Sequence, residues 1–400
     1  MTMDVREAFR IADEHVDDAE LDVLFAELLR APSEHTELME ADPAVTAFIA
    51  DVVAPRLEAL TGVAPRTDGM GNLLWQLDGA AADPAEGLLF MGYAMTYPAS
   101  TMPEPFSGKV VPGEPHGLEG PCVWGRGGCE QKAALAAMLA AAVALTQSGR
   151  KLMRPLSLAV STAGETGRHD AARYMLEQDG LAARYGIVGL GTTNRVCLGN
   201  KGRIDVNVLV RGKSCHSSTP WAGVNAVDGA RAVLERLDGL VDGLSHPELG
   251  QASLVATHIE SGPDILHTIQ DHCRLTLDRR LLPGDDPGEA LAAITRALAD
   301  LEPWQVEVTQ GNFMYPAEVS EDSEVAMALA AARELVGEAG PPLWFPAALD
   351  AGYLNEKGIE TVMFGPGDLA FAHTDAEVVP LEQVRRAARV YAAAALQMLA

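Results

Sequence analysis

Positive charge is scarce in this 400-residue sequence, and that scarcity excludes whole classes of partner. Thirty lysines and arginines stand against 56 aspartates and glutamates, which gives a formal net charge of -26 at pH 7. Such an acidic surface repels polyanions. We therefore expect neither nucleic acid nor an anionic membrane among the partners of this protein.

Long apolar runs are also lacking. The longest uninterrupted run covers residues 133–145, whereas a helix needs about 20 apolar residues to span a bilayer. Cysteine is rare, since the sequence has five scattered cysteines, an odd number. The opening residues have neither the basic start nor the apolar block of a secretion signal. We expect no transmembrane helix, free thiols and a cytoplasmic location.

Four hundred residues are too many for one hydrophobic core, and the pattern of the chain changes along its length. In the first half, short apolar segments at 88–91 and 156–162 alternate with helical segments such as residues 132–145. Strands that alternate with helices are typical of an α/β domain. The sequence thus predicts a central, mostly parallel sheet that is flanked by helices.

Around residue 200 this alternation stops. Residues 203–211 alternate apolar and polar side chains, as a half-exposed antiparallel strand does. A helix, two strands, a helix and a last strand at 305–309 follow, which is the β-α-β-β-α-β order of the ferredoxin-like split motif. We predict a ferredoxin-like α+β domain at residues 200–311, inserted into an α/β domain formed by residues 1–199 and 312–400.

Candidate functional residues lie in loops that follow the predicted strands, where α/β sheets bind their ligands. Glu130 stands in a glycine-rich loop before the alanine-rich helix, Glu165 follows the strand at 156–162, and His373 lies late in the chain. Two carboxylates and an imidazole are donors that Zn²⁺ uses. Each loop alone is typical of an ordinary turn, so the metal site is predicted from their combination.

Six motifs that occur in order along the chain point to a known family. The motifs are Gly125-Arg126-Gly127 with Lys132, Gly199-Asn200-Lys201-Gly202, His216-Ser217-Ser218-Thr219-Pro220 with Gly223-Val224-Asn225-Ala226, Asp278-Arg279-Arg280 with Pro283, Asp350-Ala351, and Gly365-Pro366-Gly367 before Ala372-His373. With them the sequence resembles the zinc metallopeptidase family of aminoacylase, carboxypeptidase G, acetylornithine deacetylase and succinyl-diaminopimelate desuccinylase. The resemblance covers nearly the whole chain and implies that the inserted domain is a lid and dimerisation domain.

Family members hold two metal ions. The resemblance implies that this chain has lost the ligands that bind only one of the two ions. The histidine of the family's Gly-His-x-Asp loop aligns with Tyr93 and the aspartate of that loop with Met95. A later acidic ligand aligns with Leu190, and the glutamate that acts as general base aligns with Gly164. Because the base and one ion are missing, we expect ordinary dinuclear hydrolysis to be lost.

The ligands of the other ion are retained in this alignment. Glu130 takes the place of the bridging aspartate, Glu165 that of the second glutamate of a Glu-Glu pair, and His373 that of the C-terminal histidine. We expect at most one metal ion per chain, zinc or another divalent ion. Two interpretations stay open: a mononuclear site, or three side chains that only hydrogen-bond their loops together.

Within the lid, the resemblance implies substrate-binding residues. His216 matches a lid histidine that reaches the active site of a partner subunit, so we expect a homodimer. Arg280 and His267 fall where relatives bind or support the substrate carboxylate, and Asn225 belongs to the same lid motif as His216. Simpler roles also stay open, namely a turn cap for His216 and an ion pair with Asp278 for Arg280.

Tyr93 replaces a metal ligand, and its phenol can donate a proton or a hydrogen bond, or simply fill the vacated space. With Tyr93, His216 and Arg280 as candidate catalytic residues, we expect a repurposed enzyme that acts on a small, amino-acid-like substrate bearing a carboxylate or an amide. Cyclisation, acyl transfer, elimination and isomerisation all suit such a site. The alternatives are a non-catalytic relative that binds a ligand or partner, and a residual one-metal deacylase or peptidase.

Overall fold

The computed structural model describes residues 3–80 and 83–400, and the chain divides into two compact units. The first unit comprises the chain up to Gly199 together with Val319–Leu343 and Tyr353–Ala400, and the second comprises Asn200–Glu318 and Trp344–Gly352. The second unit thus reaches past residue 311, because the last strand of its sheet continues to Met314.

Several helices begin where the sequence supplies a capping aspartate. The carboxylates of Asp4, Asp17 and Asp286 accept hydrogen bonds from amides in the first turn of the helix that follows, which stabilises each helix end. The α-helices of the described residues are α1 (Val5–His15), α2 (Asp18–Arg30), α3 (Pro43–Ala47), α4 (Ala54–Thr61), α5 (Ala133–Gln147), α6 (Asp170–Glu177), α7 (Ala226–Leu237), α8 (Pro287–Ala297), α9 (Glu324–Leu335), α10 (Ala351–Glu356) and α11 (Leu381–Leu399).

Most strands coincide with short apolar or alternating segments of the sequence. The strands in the described ranges are β1 (Arg66–Thr67), β2 (Leu73–Leu77), β3 (Leu88–Tyr93), β4 (Lys109–Pro112), β5 (Pro121–Trp124), β6 (Leu156–Ser161), β7 (Tyr185–Gly189), β8 (Cys197–Asn200), β9 (Gly202–Arg211), β10 (Ser245–His246), β11 (Gly250–Gln251), β12 (Ser253–Gly262), β13 (His272–Leu281), β14 (Gln305–Met314), β15 (Ala317–Glu318), β16 (Leu343–Phe345), β17 (Glu360–Phe364) and β18 (Val378–Pro380).

The central sheet of the first unit has the strand order β1-β2-β6-β3-β7-β17-β8. Its four middle strands run parallel, and the neighbours β2 and β8 are antiparallel to them. Strands β3, β6 and β7 are buried along their whole length, as parallel strands that are covered on both faces are. The predicted central, mostly parallel sheet flanked by helices is confirmed.

Helix α5 lies at the centre of the helical packing in the first unit, where it contacts α11, α2 and β3. Together with the turn before it, this helix (Gly128–Gln147) is long and apolar enough to cross a membrane, but 89% of its most apolar window is buried inside the protein. A helix that is apolar all round and buried in protein is a core helix. The burial of α5 therefore explains its composition.

A small second sheet in the first unit, which the sequence analysis did not predict, has the order β18-β5-β4. Strand β5 precedes the loop that carries Glu130, and β18 follows the loop that carries His373. The two strands pair antiparallel, with Val378 opposite Trp124. This pairing brings two loops that are distant in sequence next to each other.

The sheet of the second unit has the order β12-β13-β9-β14 and is antiparallel throughout. Helix α7 follows β9 and helix α8 follows β13, so the order along the chain is β-α-β-β-α-β. Alternate residues of the strands, such as Val206, Val208, Leu275 and Leu277, form a buried core with residues of the two helices. The predicted ferredoxin-like fold of the inserted segment is confirmed.

Candidate metal centre

Three predicted ligands meet at one edge of the central sheet. Nε2 of His373 lies 2.8 Å from Oε2 of Glu130 and 3.7 Å from Oε1 of Glu165. One donor atom of each residue lies within 4.8 Å of the other two. Both carboxylates are half-buried and the imidazole is exposed. The structure thus brings together the three residues that the sequence predicts as metal ligands.

The positions of these ligands follow from the strand ends. Glu165 comes after β6, and His373 lies between β17 and β18, so both follow parallel strands whose carboxyl ends share one edge. Glu130 lies on a π-helical turn, Gly128–Lys132, directly before α5. That turn begins at Gly127, whose φ of 76° suits glycine. Single π-helical turns are frequent at functional sites.

A buried ion pair connects the loop before α5 with the loop before β18. Nη1 of Arg126 lies 2.9 Å from Oε2 of Glu377, and both side chains are at most 1% exposed. The Glu377 carboxylate also accepts hydrogen bonds from the backbone amides of Gly127 and Cys129. Nη2 of Arg126 donates to the carbonyl of Thr374. The loops that carry Glu130 and His373, two candidate ligands, are therefore connected by these contacts.

His373 has a backbone conformation that is uncommon for its residue type. Its φ of 63° lies in the left-handed region, which non-glycine residues seldom adopt outside functional or strained sites. Its ring stacks on Tyr97 with the ring centroids 4.0 Å apart and an interplanar angle of 15°. Because Tyr97 lies in the loop after β3, a third loop orients the imidazole.

Burial and mutual contact determine the charges of the cluster. Burial raises the pKa of Glu130 to about 7, against the lowering effect of its hydrogen bond with His373. Burial also acts to raise the pKa of Glu165, but hydrogen bonds with His373 and Glu130 outweigh it, and this pKa is lowered. Hydrogen bonds with Glu130 and Glu165 raise the pKa of His373 to about 10. At pH 7 the charged imidazolium of His373 therefore offsets the carboxylate of Glu165, while the carboxyl of Glu130 is about half ionised.

The positions that the resemblance assigns to a second ion are filled by buried side chains. Tyr93, Met95 and Leu190 are at most 6% exposed. A Cβ added at Gly164 would lie 2.6 Å from the carbonyl oxygen of Met95, which is closer than van der Waals contact allows. The backbone after β3 therefore occupies the space that a larger side chain at position 164 would need.

Cys129 is adjacent to Glu130 but is not positioned as a nucleophile. Its side chain is fully buried, and its thiol donates a hydrogen bond to the carbonyl of Val378 over 3.0 Å. Burial raises the pKa of the Cys129 thiol well above its ordinary value. Because the thiolate is the reactive form of cysteine, Cys129 serves to pack the loop.

His216 and His267 lie side by side in the second unit. The amide of Ser217 donates to the carbonyl of His267 over 2.9 Å, and both histidines are exposed. Nδ1 of His216 lies 2.7 Å from Oγ of Ser218, which is the turn-capping contact that the sequence analysis left open. The substrate-binding role of the two histidines stays a prediction.

Arg280 and Asn225 have local partners within the second unit. Nε and Nη2 of Arg280 lie 2.8 and 3.0 Å from the carboxylate oxygens of Asp278, which is the ion pair named as the simpler alternative. Oδ1 of Asn225 accepts a hydrogen bond from the amide of Val227 and so caps helix α7. Substrate binding by Arg280 and Asn225 stays a prediction as well.

Three residues of the site escaped the sequence analysis. Tyr97 stacks on the imidazole, Glu377 connects the two loops, and Nε2 of Gln131 donates to Oε1 of Glu165 over 2.9 Å. A single tyrosine, glutamate or glutamine in a loop has no periodicity that distinguishes it. For Gln131 alone the sequence offered a signal, because this residue directly follows the candidate ligand Glu130.

The donor set fits one divalent ion. Donor atoms around a tetrahedral zinc ion with bonds of about 2.0–2.1 Å are separated by about 3.3 Å. The separations of 2.8 and 3.7 Å at His373 lie on either side of that value. Within residues 3–80 and 83–400, no other three His, Cys, Asp or Glu side chains converge in this way.

Residues 98–397 match Peptidase family M20/M25/M40. The chain is 30% identical over 282 residues to acetylornithine deacetylase of Myxococcus xanthus, which covers 68% of this chain and 71% of that protein. It is 27% identical over 296 residues to an uncharacterized protein, YgeY, of Escherichia coli strain K12, which covers 70% and 73% of the two chains.

Solved structures share the fold of this chain. Aminopeptidase PepT from Bacillus cereus superimposes with a TM-score of 0.73 at 20% identity, over 96% of this chain and 99% of that chain. An M20 family metallo-carboxypeptidase, Sso-CP2 from Sulfolobus solfataricus, superimposes with a TM-score of 0.73 at 18% identity, over 95% and 99%. At these identities the likeness concerns the fold.

Proposed function

We propose, from the premise that this chain belongs to peptidase family M20/M25/M40, that it is a one-metal member with altered chemistry. It holds a single divalent ion, zinc or a related metal, on Glu130, Glu165 and His373, and it acts on a small amino-acid-like or amide substrate. The observation that supports this most is the contrast at one sheet edge. Three ligands converge there, while Gly164 has neither a side chain nor room for one.

The residues of the site bind and orient, and none at position 164 takes a proton from water. When bound, a divalent ion supplies Lewis-acid polarisation of a substrate carbonyl. General-base assistance typically contributes about 10²–10⁴-fold in rate, so its absence at Gly164 disfavours attack by water. Cyclisation, acyl transfer, elimination and isomerisation can use a polarised carbonyl without activated water, and these reactions suit the site.

The names of the relatives support an amide-type substrate. Acetylornithine deacetylase, an aminopeptidase and a metallo-carboxypeptidase are all named for the cleavage of acylated amino acids or peptides. We infer a small substrate that bears a carboxylate or an amide. His216, His267, Asn225 and Arg280 bind this substrate, and Tyr93 donates a hydrogen bond or a proton to it.

A homodimer is part of this proposal. Strand β12 is an edge strand of the second unit, and its residues Val255 and Ile259 are 55% and 56% exposed. An exposed edge strand offers unpaired backbone groups to another copy of the chain. His216 then acts on the site of the partner subunit. We also propose that the protein is cytoplasmic and that its cysteines are free thiols. Light scattering that finds a monomer at micromolar concentration would remove this role of His216.

A non-catalytic binding role is the second candidate, and the contacts of the cluster favour it. His373 bonds to Glu130 and pairs with Glu165, so the three side chains connect their loops by themselves. In that case Glu165→Ala and His373→Ala leave ligand binding intact, whereas Arg280→Ala weakens it.

A substrate screen separates the candidates. N-acyl amino acids and dipeptides are incubated with the protein and Zn²⁺, Co²⁺ or Mn²⁺, and we expect little or no hydrolysis. Turnover near typical enzyme rates of roughly 1–10³ per second would contradict this and support a one-metal deacylase or peptidase. Altered chemistry predicts that the protein converts a substrate by another reaction. We expect Glu165→Ala and His373→Ala to abolish that conversion and Tyr93→Phe to reduce it.

A further inference from the structure

Gln131 follows one candidate ligand in sequence and contacts another in space. Its Nε2 lies 2.9 Å from Oε1 of Glu165, and its side chain is 3% exposed. Its Oε1 has no hydrogen-bond partner among the residues that the structure describes. A reversed amide would place two oxygens 2.9 Å apart, so the amide N–H has to point toward Glu165.

The local backbone holds Gln131 in this place. The amide of Lys132 donates to the carbonyl of Gly127 over 2.8 Å, which is the i to i+5 bond of the π-helical turn. Nζ of Lys132 is buried and donates to the carbonyls of Leu28 and Ala31 at the end of α2. Because the residue after Gln131 is anchored to another helix, the backbone of the turn keeps Gln131 next to Glu165.

We propose that Gln131 is a positioning residue for Glu165 as a metal ligand, an inference that rests on the one-metal function proposed above. The N–H donated to Oε1 fixes the rotation of the carboxylate and keeps this oxygen facing the imidazole of His373, where its remaining lone pair is available to an ion. An amide does this without a positive charge, which in lysine or arginine would repel the ion. Partners that orient ligands in this way typically change metal affinity about 10–100-fold.

Gln131→Met tests the proposal, because methionine keeps the length of the side chain and removes the donor. We expect the affinity for Zn²⁺, measured by competition with a chromogenic chelator, to fall about 10–100-fold. The visible absorption spectrum of the Co²⁺-loaded protein should also change, because the carboxylate of Glu165 becomes free to rotate. Gln76→Met is the matched control, since Nε2 of Gln76 makes a 2.8 Å bond with Asp78 at an exposed position of β2 outside the site.

Each outcome decides the matter. Wild-type affinity and an unchanged Co²⁺ spectrum in Gln131→Met would overturn the positioning role while leaving the one-metal function intact. A wild-type protein that binds neither Zn²⁺ nor Co²⁺ would overturn both. If circular dichroism shows that Gln131→Met is unfolded, Gln131→Asn replaces it. This variant keeps an amide but withdraws it by one methylene, and the same loss of affinity is expected.

Discussion

The two halves of one sheet edge, each with the positions of one metal ion, differ in the side chains that they carry. In one half, Glu130, Glu165 and His373 keep donor atoms within 4.8 Å of one another. In the other half, the positions of a second ion carry Tyr93 and Leu190, which are buried. Buried side chains occupy the positions of the second half. The proposed loss therefore concerns one ion and its base, while three side chains that could hold the other ion converge.

The contacts around the two halves differ as well: those of the retained half hold the candidate ligands in place, whereas those of the vacated half leave no space for a ligand or a base. The retained half is held by the buried pair of Arg126 and Glu377 and by the ring of Tyr97. Burying an ion pair carries a desolvation cost that good geometry has to offset, and here the pair fixes both ligand loops. In the vacated half, the backbone of Met95 lies where a Cβ at Gly164 would be.

The largest expected effect comes from removing the support of the retained half. Glu377→Ala leaves the Arg126 guanidinium buried without its counter-charge, so we expect the free energy of unfolding to fall by about 3–5 kcal/mol. Urea denaturation measures this change. Glu382→Ala is the control, because Glu382 is 59% exposed in its pair with Arg386 and exposed pairs contribute about 1 kcal/mol or less. Equal effects in the two variants would show that the buried pair supports nothing.

Removing a ligand should abolish metal binding with little effect on the fold. We expect Glu165→Ala and His373→Ala to weaken Zn²⁺ binding by more than about 100-fold, since even partners that only orient ligands change affinity by 10–100-fold. Tyr93→Phe, in the vacated half, should bind zinc as the wild type does. Isothermal titration of the metal-free proteins gives the answer. Retained affinity in both ligand variants would place the ion elsewhere.

The closed state of the vacated half can be tested with one methyl group. Gly164→Ala forces a Cβ against the carbonyl of Met95, and overpacking of this kind costs about 1–3 kcal/mol. Gly288→Ala, at an exposed position in helix α8, is the control, because its added Cβ would approach only Oδ1 of the Asp286 side chain, at 3.0 Å, and we expect a change within about 1 kcal/mol. A Gly164→Ala protein as stable as the wild type would mean that the backbone after β3 yields easily.

The smallest expected effect is a pH dependence of the retained half. Because the pKa of His373 is raised to about 10 and zinc binds the neutral imidazole, metal binding must displace a proton at every pH below that value. Zn²⁺ affinity should therefore rise about tenfold per pH unit between pH 7 and 9, with about one proton released per ion. Below pH 7 the slope should steepen, since the pKa of Glu130 is about 7. An affinity that does not vary with pH would contradict these charges.

Much of the fold could be predicted because periodicity and burial are encoded locally. The buried strands β3 and β6 coincide with the apolar segments predicted at 88–91 and 156–162. Strand β14 continues five residues beyond the predicted end at 309, to Met314, because polar, exposed residues there break the apolar alternation. The sheet of β18, β5 and β4 consists of short strands whose pairing joins distant segments, which no local pattern indicates.

The candidate site also has features that could be predicted from the sequence and features that could not. The convergence of Glu130, Glu165 and His373 could be predicted because motif order fixes which strand each one follows. The clash at Gly164 depends on the course of the backbone near Met95, and residue types do not encode that course. The contact of Gln131 with Glu165 depends on a π-helical turn, and the sequence has no distinctive signal for such a turn.

The central claim is that the retained half alone binds metal, and the number of ions per chain tests it most directly. The protein is purified without chelator, incubated with excess Zn²⁺, desalted and measured by native mass spectrometry together with elemental analysis. We expect one zinc ion per chain in the wild type and none in His373→Ala. Two ions per chain would contradict the loss of the second site, and a wild-type protein without any ion would contradict the metal centre itself.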